Sequence, residues 1–226
     1  MHFHIITLFP NSLDSYLSES IIKRAIEDKK IKVSFYNPRD FVSDPHLRID
    51  RRPFGGGPGM VIQAEPVIKA IEKALKKAGI ASFSSSQEYK NKVKIIFLSP
   101  GGKQFTNEYA EKTASKFKHI IIVSGRYEGI DVRIKKVFKM EDVSIGPFVL
   151  TGGELPAMLL IDVISRQVEG VLGNFNSIEE KRISSSEVYT RPEIFTYKGK
   201  KYRVPKVLLS GHEAKIAEWK QKRAKK

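Results

Sequence analysis

The sequence predicts an α/β fold in which a parallel sheet is covered by helices on both faces, with a small basic helical unit behind it. Three observations carry this reading. Short runs rich in Ile, Val and Phe alternate with segments of helical periodicity, as in a chain of βαβ units. The runs at 94–98 and 120–124 are apolar almost throughout, the texture of strands buried on both faces. After Gly173 the composition turns polar and Ser-rich, then basic.

Taken in order, residues 3–9 (Phe-His-Ile-Ile-Thr-Leu-Phe) form a first strand that Pro10 ends. Leu13, Leu17, Ile21, Ile22, Ala25 and Ile26 fall at helical spacing and predict one amphipathic helix over 13–28. A second strand follows at 31–36. Pro66 opens a helix that runs to about Ala78, at a position where its missing N–H costs nothing. Residues 81–91 carry four Ser and no apolar period, and read as an exposed loop. Strands at 94–98 and 120–124 flank a helix capped by Thr106. A helix at 131–138, a short strand at 143–145 and an apolar helix at 154–168 complete the first domain. The predicted organisation is a domain over 1–168, a linker over 169–188 and a small basic domain over 189–226, with a helix at 213–223.

Composition narrows the function classes. Forty Lys and Arg stand against 25 Asp and Glu, a net +15 in 226 residues. Residues 198–226 hold eleven of these cations and two Glu, so +9 of the surplus sits there. Cationic side chains displace counterions from a phosphate backbone, so a nucleic acid is the natural partner, and a solubilising tail is the plainer alternative. The absence of cysteine excludes disulfides, thiolate zinc sites, iron–sulfur clusters and a cysteine nucleophile. No apolar run approaches the ~20 residues of a membrane span. The start lacks a basic n-region and cleavage pattern, so a cytoplasmic protein without membrane association is expected.

Glycines cluster in four places: 55–59, 101–102, 125–129 and 146–153. The last three follow predicted strands, where α/β proteins bind ligands. Each alone also reads as a tight turn; three at successive strand ends point to a pocket built of backbone amides and carbonyls. A Walker loop, a Gly-x-Gly after the first strand and a Gly-x-Ser-x-Gly elbow are all absent. His2 and His4 share a strand face, but a pair without a third ligand reads as packing, and His46, His119 and His212 stand isolated in the sequence. No metal site is expected.

Five segments then become specific together: GGGPGM at 55–60, GRYEGID at 125–131, SIGPFVLTGGELP at 144–156, YTRPE at 189–193 and PKVLLSGHEAKIAEW at 205–219. In this order, over essentially the whole chain, they resemble the bacterial tRNA (guanine-37-N1)-methyltransferases of the SPOUT class. The resemblance implies a C-terminal trefoil knot in the α/β domain, an exception to the rule that chains do not thread loops. It also implies S-adenosylmethionine as methyl donor, tRNA as substrate and a homodimer with a shared active site, and it leaves a Mg²⁺ requirement open. The cofactor residues it implies are Leu98, Pro100 and Gly102 on one wall and Gly125, Tyr127, Glu128 and Gly129 on another. Ile145, Gly146, Pro147, Phe148, Val149, Leu150, Gly152, Gly153 and Pro156 would close around adenine and ribose. Glu128 would sit near the methionine end, or else pair with Arg126 or Arg133. Arg166 matches the family's catalytic arginine, aimed at guanine O6; a salt bridge to Asp162 is its alternative. Gly59, Arg191, Lys220, Lys222 and Arg223 are the implied tRNA-binding positions.

The linker departs from the pattern. Where the family carries an aspartate as general base, ungapped alignment places Lys181. A shift of one residue lets Glu180 serve; Glu179 and Glu187 are the other carboxylates within reach, and loss of the base is a further alternative. Pro147 replaces a residue that is usually polar, and the chain is shorter at its C-terminus than most relatives. The expected function is methyl transfer to N1 of guanosine 37. The alternatives are a knotted RNA-binding protein with impaired catalysis and a SPOUT enzyme for another RNA nucleotide.

Overall fold

The computed structural model describes residues 1–80, 92–173 and 187–223. The chain divides into two compact units, Met1–Val171 and Leu172–Lys226. The expected 81–91 loop and most of the expected linker lie outside the described residues.

The first unit is built on five parallel strands in the order β2-β1-β6-β5-β7. They are β1 (His2–Ile6), β2 (Lys32–Tyr36), β5 (Val93–Gln104), β6 (His119–Val123) and β7 (Glu141–Ser144). Two short strands, β3 (Asp50–Arg51) and β4 (Val61–Ile62), pair antiparallel and bracket the first glycine cluster. Successive side chains of a strand point to opposite faces, and each face has its own core. On one, Ile6, Ile121, Val123, Ile95 and Phe97 pack against Ala70, Ile71, Ala74 and Leu75 of α3 (Ala64–Lys77). On the other, Phe3, Ile5, Ile96, Ile120 and Ile122 meet α2 (Ser20–Glu27), α4 (Asn107–Lys116) and α6 (Glu154–Ser165). Burial on both sides explains why β6 reads as a continuous apolar run.

Several expectations are revised. The helix expected over 13–28 is three pieces: a 3₁₀ turn at Pro10–Leu13, α1 (Asp14–Leu17) and α2. Ser18 interrupts it, its hydroxyl donating back to the Asp14 carbonyl at 2.6 Å, and Ser20 takes a left-handed φ of 50°. The break lets Leu13, Leu17, Ile22 and Ala25 all reach the core. α3 starts two residues before Pro66, whose position in the first turn still has no intrahelical N–H partner to lose. Thr106 caps α4 as expected, accepting from the Tyr109 N–H at 3.2 Å. The helix expected at 131–138 shrinks to α5 (Ile134–Val137).

β5 carries the feature that matters most for the site. Leu98 and Lys103 both stand opposite Val143 of β7, so Ser99–Gly102 arch out of the sheet and the strand rejoins its neighbour. A Cβ on Gly102 would lie 2.5 Å from the Asp142 carbonyl carbon and the Val143 nitrogen. Only glycine lets the arch return this close to β7.

The second unit is not wholly helical. It contains a hairpin of β8 (Ile194–Tyr197) and β9 (Lys200–Arg203), then α7 (Lys206–Leu209) and α8 (Glu213–Gln221). Lys198 and Gly199 close the hairpin with φ of 48° and 76°, the doubly positive pattern of a two-residue type I′ turn. No helix among the described residues is long and apolar enough to cross a membrane.

Candidate functional site

A cavity of about 420 Å³ opens at the C-terminal ends of β5, β6 and β7. Three glycine-bearing segments wall it. The β5 arch supplies Leu98 and Pro100; the β6 end supplies Gly125, Tyr127, Glu128 and Gly129. The segment after β7 supplies Ile145, Gly146, Phe148, Val149 and Leu150, then Gly152, Gly153 and Pro156. Of the positions singled out in the sequence, Gly102 and Pro147 do not line it. Gly102 instead seats the arch on β7, and Pro147 is exposed. Sequence reasoning missed Ser99, Arg126, Val132, Lys135, Ser144 and Thr151, all on the lining. Arg126, Ser144 and Thr151 lay inside quoted motifs, whereas nothing in the sequence signals Lys135. Its ammonium pairs with Asp142 at 2.6 Å and lies 4.1 Å from the Phe97 ring centroid.

The walls are fastened by backbone. Gly153 N–H donates to the Gly125 carbonyl at 2.9 Å, and the Ser124 hydroxyl to the Gly153 carbonyl at 3.1 Å. A Cβ on Gly153 would stand 2.7 Å from the Ser124 Cα, and one on Gly152 2.3 Å from Arg126 Nε. Ser144 closes the next turn, its hydroxyl donating to the Gly146 carbonyl at 2.9 Å. The glycines are therefore where the two loops touch.

Beneath this junction lies a buried charge pair. Glu154, the first residue of α6 and only 4% exposed, accepts from the Thr7 hydroxyl at 2.8 Å. Its other oxygen lies 2.9 Å from Arg126 Nε. The helix N-terminus favours a carboxylate there. The Arg126 guanidinium also donates to the Thr151 carbonyl at 3.3 Å and covers the Phe9 ring at 4.7 Å. Arg133 is likewise engaged, chelating Asp131 and holding its carboxyl below the usual range. Among the described residues neither arginine weighed as a partner of Glu128 pairs with it. Glu128 lies instead against Gly59, and its N–H donates to the Met60 carbonyl at 3.0 Å. Ile62 continues the contact by a parallel bridge to Ile130. The first and third glycine clusters are thus one structure.

Arg166 follows α6 directly and is partly buried; its N–H donates to the Asp162 carbonyl at 3.1 Å. The Asp162 carboxylate accepts the Tyr16 hydroxyl, a bond that pushes Tyr16 up to about 12. Twelve helical rises separate Arg166 from Glu154 at the cavity end, about 18 Å.

In the second unit Arg191 is exposed. Lys222 pairs with Glu218 at 2.6 Å. Arg223 lies 4.6 Å over the Trp219 ring and 3.4 Å from Glu187, which also accepts from Tyr189. Glu187 therefore already has a cationic partner. Lys220 sits in the last turn of α8. Glu179, Glu180 and Lys181 lie outside the described residues.

One cluster was not legible in the sequence. His119 opens β6 directly opposite His2 of β1, so it joins the pair that His2 forms with His4. Burial, then the neighbouring charges, holds His2 down to about 4 and His4 down to about 3.

Comparison with known proteins places the chain in one family. The family model described as tRNA (Guanine-1)-methyltransferase TrmD matches residues 1–226. A tRNA (guanine-N(1)-)-methyltransferase from Campylobacter jejuni subsp. doylei is 43% identical over 224 residues, covering 97% of this chain and 90% of the relative. One from Caldanaerobacter subterraneus subsp. tengcongensis is 44% identical over 228 residues, covering 99% and 87%. One from Clostridioides difficile is 41% identical over 225 residues, covering 98% and 91%. The chain belongs to the tRNA (guanine-1)-methyltransferase family.

Proposed function

We propose that this chain methylates N1 of guanosine 37 in tRNA, with S-adenosylmethionine as donor, in a SPOUT-type knotted domain. The observation that carries the reading is the cavity at three parallel strand ends, walled by the three glycine segments. Its volume falls in the range of about 300–1,000 Å³ usual for small-molecule pockets. Backbone groups of 125–129 and 145–153 suit the hydrogen-bonding edges of adenine and ribose, and Leu98, Phe148 and Leu150 supply apolar cover. A sulfonium carries positive charge, which the Glu128 carboxylate on the same lining would favour. When bound, S-adenosylmethionine supplies an electrophilic methyl group.

The chain's own residues have two tasks. Guanine N1 is protonated at neutral pH, so a carboxylate must accept that proton for N1 to become nucleophilic. Glu180 is assigned this role. Arg166 is assigned the negative charge that then grows on O6. The ~18 Å of helix between Arg166 and the cavity exceeds an arginine's reach within one copy. This separation supports a homodimer in which each site draws on both copies. Exposed apolar side chains beside the cavity and on α6 agree with it: Val149 is 81% exposed, and Phe148, Leu155 and Leu159 face outward too.

The decisive experiment is methyl transfer from labelled S-adenosylmethionine to tRNA transcripts, with mass mapping of the product. Methylation is expected at guanine 37 and lost when guanine 37 is replaced. Glu180→Gln should abolish turnover while donor affinity stays near wild type. Unchanged activity on the replaced transcript would overturn the position, and unchanged turnover in Glu180→Gln would overturn the base.

A further inference from the structure

Parallel pairing of β1 with β6 sets His2 directly beside His119, and the two-residue period of β1 puts His4 on the same face. One ring nitrogen from each of the three lies within 4.8 Å of the others. His4 Nε2 and His119 Nδ1 are 3.1 Å apart. Two ligands on a tetrahedral ion with bonds of ~2.05 Å stand ~3.3 Å apart, so this spacing is close to that of a shared ion. His4 is fully buried, whereas His2 and His119 are half-buried at the rim. The rim leaves a side for a fourth ligand from solvent.

The outer contacts also suit a metal site. His4 Nδ1 is 2.9 Å from the Tyr36 hydroxyl, which fixes the ring and leaves Nε2 turned to the cluster. The Ser34 hydroxyl lies 2.9 Å from His2 Nε2. A partner on the far nitrogen, as Tyr36 is for His4, orients an imidazole ligand and sets its tautomer. The three ligands are all neutral nitrogen donors. Lys32, Lys77, Lys118 and the N-terminal ammonium contribute positive charge nearby. The all-nitrogen ligand set rejects Mg²⁺ and Ca²⁺, which need anionic oxygen, and leaves ions with imidazole bonds strong enough to bind against the positive charge nearby.

We propose that His2, His4 and His119 form a three-histidine site for a late first-row divalent metal ion, Zn²⁺ above all, which clamps β1 to β6. The site lies at the start of both strands, whereas the cavity opens at the strand ends. The ion is therefore structural and takes no part in methyl transfer.

The test uses the untagged full chain, stripped with chelator and titrated with Zn²⁺, Co²⁺ or Mg²⁺. One equivalent of Zn²⁺ and of Co²⁺ should bind, Co²⁺ with the visible absorption of a tetrahedral site, and Zn²⁺ should raise the unfolding temperature. Mg²⁺ should do neither. His4 is buried and its replacement can unfold the chain, so the variants are His2→Gln and His119→Gln at the rim. Each should lose roughly tenfold or more in Zn²⁺ affinity, since even outer-shell changes cost that much. His46→Gln should change nothing. Zn²⁺ affinity in His119→Gln equal to wild type, or no stoichiometric binding to wild type, would overturn the site.

Discussion

Gly59 and Glu128 are in contact: a Cβ on Gly59 would stand 2.5 Å from Glu128 Oε1. Gly59 has a φ of +85° and Gly55, four residues earlier, one of +90°, yet among the described residues nothing lies within 4 Å of a Cβ on Gly55. The pair separates two effects. Alanine costs about 1–2 kcal/mol of left-handed strain at either position. Only at Gly59 does it also push the Glu128 carboxylate. Gly59→Ala should therefore lower kcat/KM for methyl transfer by about tenfold or more, a loss equivalent to ~1.4 kcal/mol, while Gly55→Ala stays within a few-fold of wild type. Equal losses in both variants would remove Glu128 from the explanation.

The Arg126–Glu154 pair makes a prediction about stability. Glu154 is buried, and Arg126 remains about a quarter exposed, its side chain 27% accessible. Breaking a buried pair is costly because the remaining charge loses its partner, and partial exposure of Arg126 reduces that cost. Glu154→Gln keeps the acceptor for Thr7 and removes the charge. It should destabilise the chain by about 2 kcal/mol in urea unfolding. A change below ~0.5 kcal/mol would place the pair among those worth no more than a surface ion pair.

Both positions show what was legible in the sequence. The β-runs and the strand-end glycines were, because burial on two faces and close backbone approach leave local marks in composition. The Gly59–Glu128 contact was not, because it joins residues whose adjacency depends on β4 meeting the β6 loop. The same limit hid His119. Its neighbour across the strand pair is His2, and parallel register cannot be read from either strand alone. The break at Ser18 was missed for a different reason: apolar spacing continues through it, and only a side-chain hydrogen bond and one left-handed residue interrupt the helix. The Lys198–Gly199 turn did carry a signal, a glycine between two short runs of aromatic and polar residues, masked by the high charge around it. The proposed base, Glu180, falls in the segment where this sequence leaves its family's pattern, so the resemblance offers no carboxylate at the aligned position, Lys181.

The histidine cluster predicts acid sensitivity in the metal-free chain. His2 and His4 are held near 4 and 3 in the fold, against 6.5 when unfolded, and His119 is lowered as well. Burial acts first; Lys32, Lys77, Lys118 and the N-terminal ammonium add to it. The unfolded chain then binds more protons below ~6.5, so stability rises with pH in that window. With chelator present, the contribution is complete above pH ~6.5 and is lost progressively as pH falls toward 4. Urea midpoints at pH 7.5, 6 and 5 should decline for wild type and decline less steeply for the double variant His2→Gln with His119→Gln, in which only His4 remains. Parallel declines in both would assign the acid sensitivity elsewhere.

The proposed tRNA substrate has two candidate basic surfaces in the second unit, the end of α8 and the β8–β9 hairpin. The sequence places the weight on Lys220, Lys222 and Arg223, but Lys222 pairs with Glu218 and Arg223 with Glu187 and Trp219. The hairpin is differently disposed. Phe195 and Tyr202 face each other across it with ring centroids 5.1 Å apart and planes 13° apart, both largely exposed. Tyr197 and Lys200 share their face, with Lys200 5.5 Å from the Tyr202 centroid and Lys198 5.6 Å from the Tyr197 centroid. Aromatic faces interleaved with cations are the combination that single-stranded RNA bases stack on, at about 1–3 kcal/mol per base. Tyr202→Ala should weaken tRNA binding by about fivefold or more with little change in salt dependence, since stacking releases no counterions. Lys200→Ala with Lys201→Ala should weaken it more at low salt and reduce the slope of log K against log salt by about 1–2. Lys222→Ala, already committed to Glu218, should do less than either. A larger loss from Lys222→Ala than from the hairpin variants would return the grip to the end of α8.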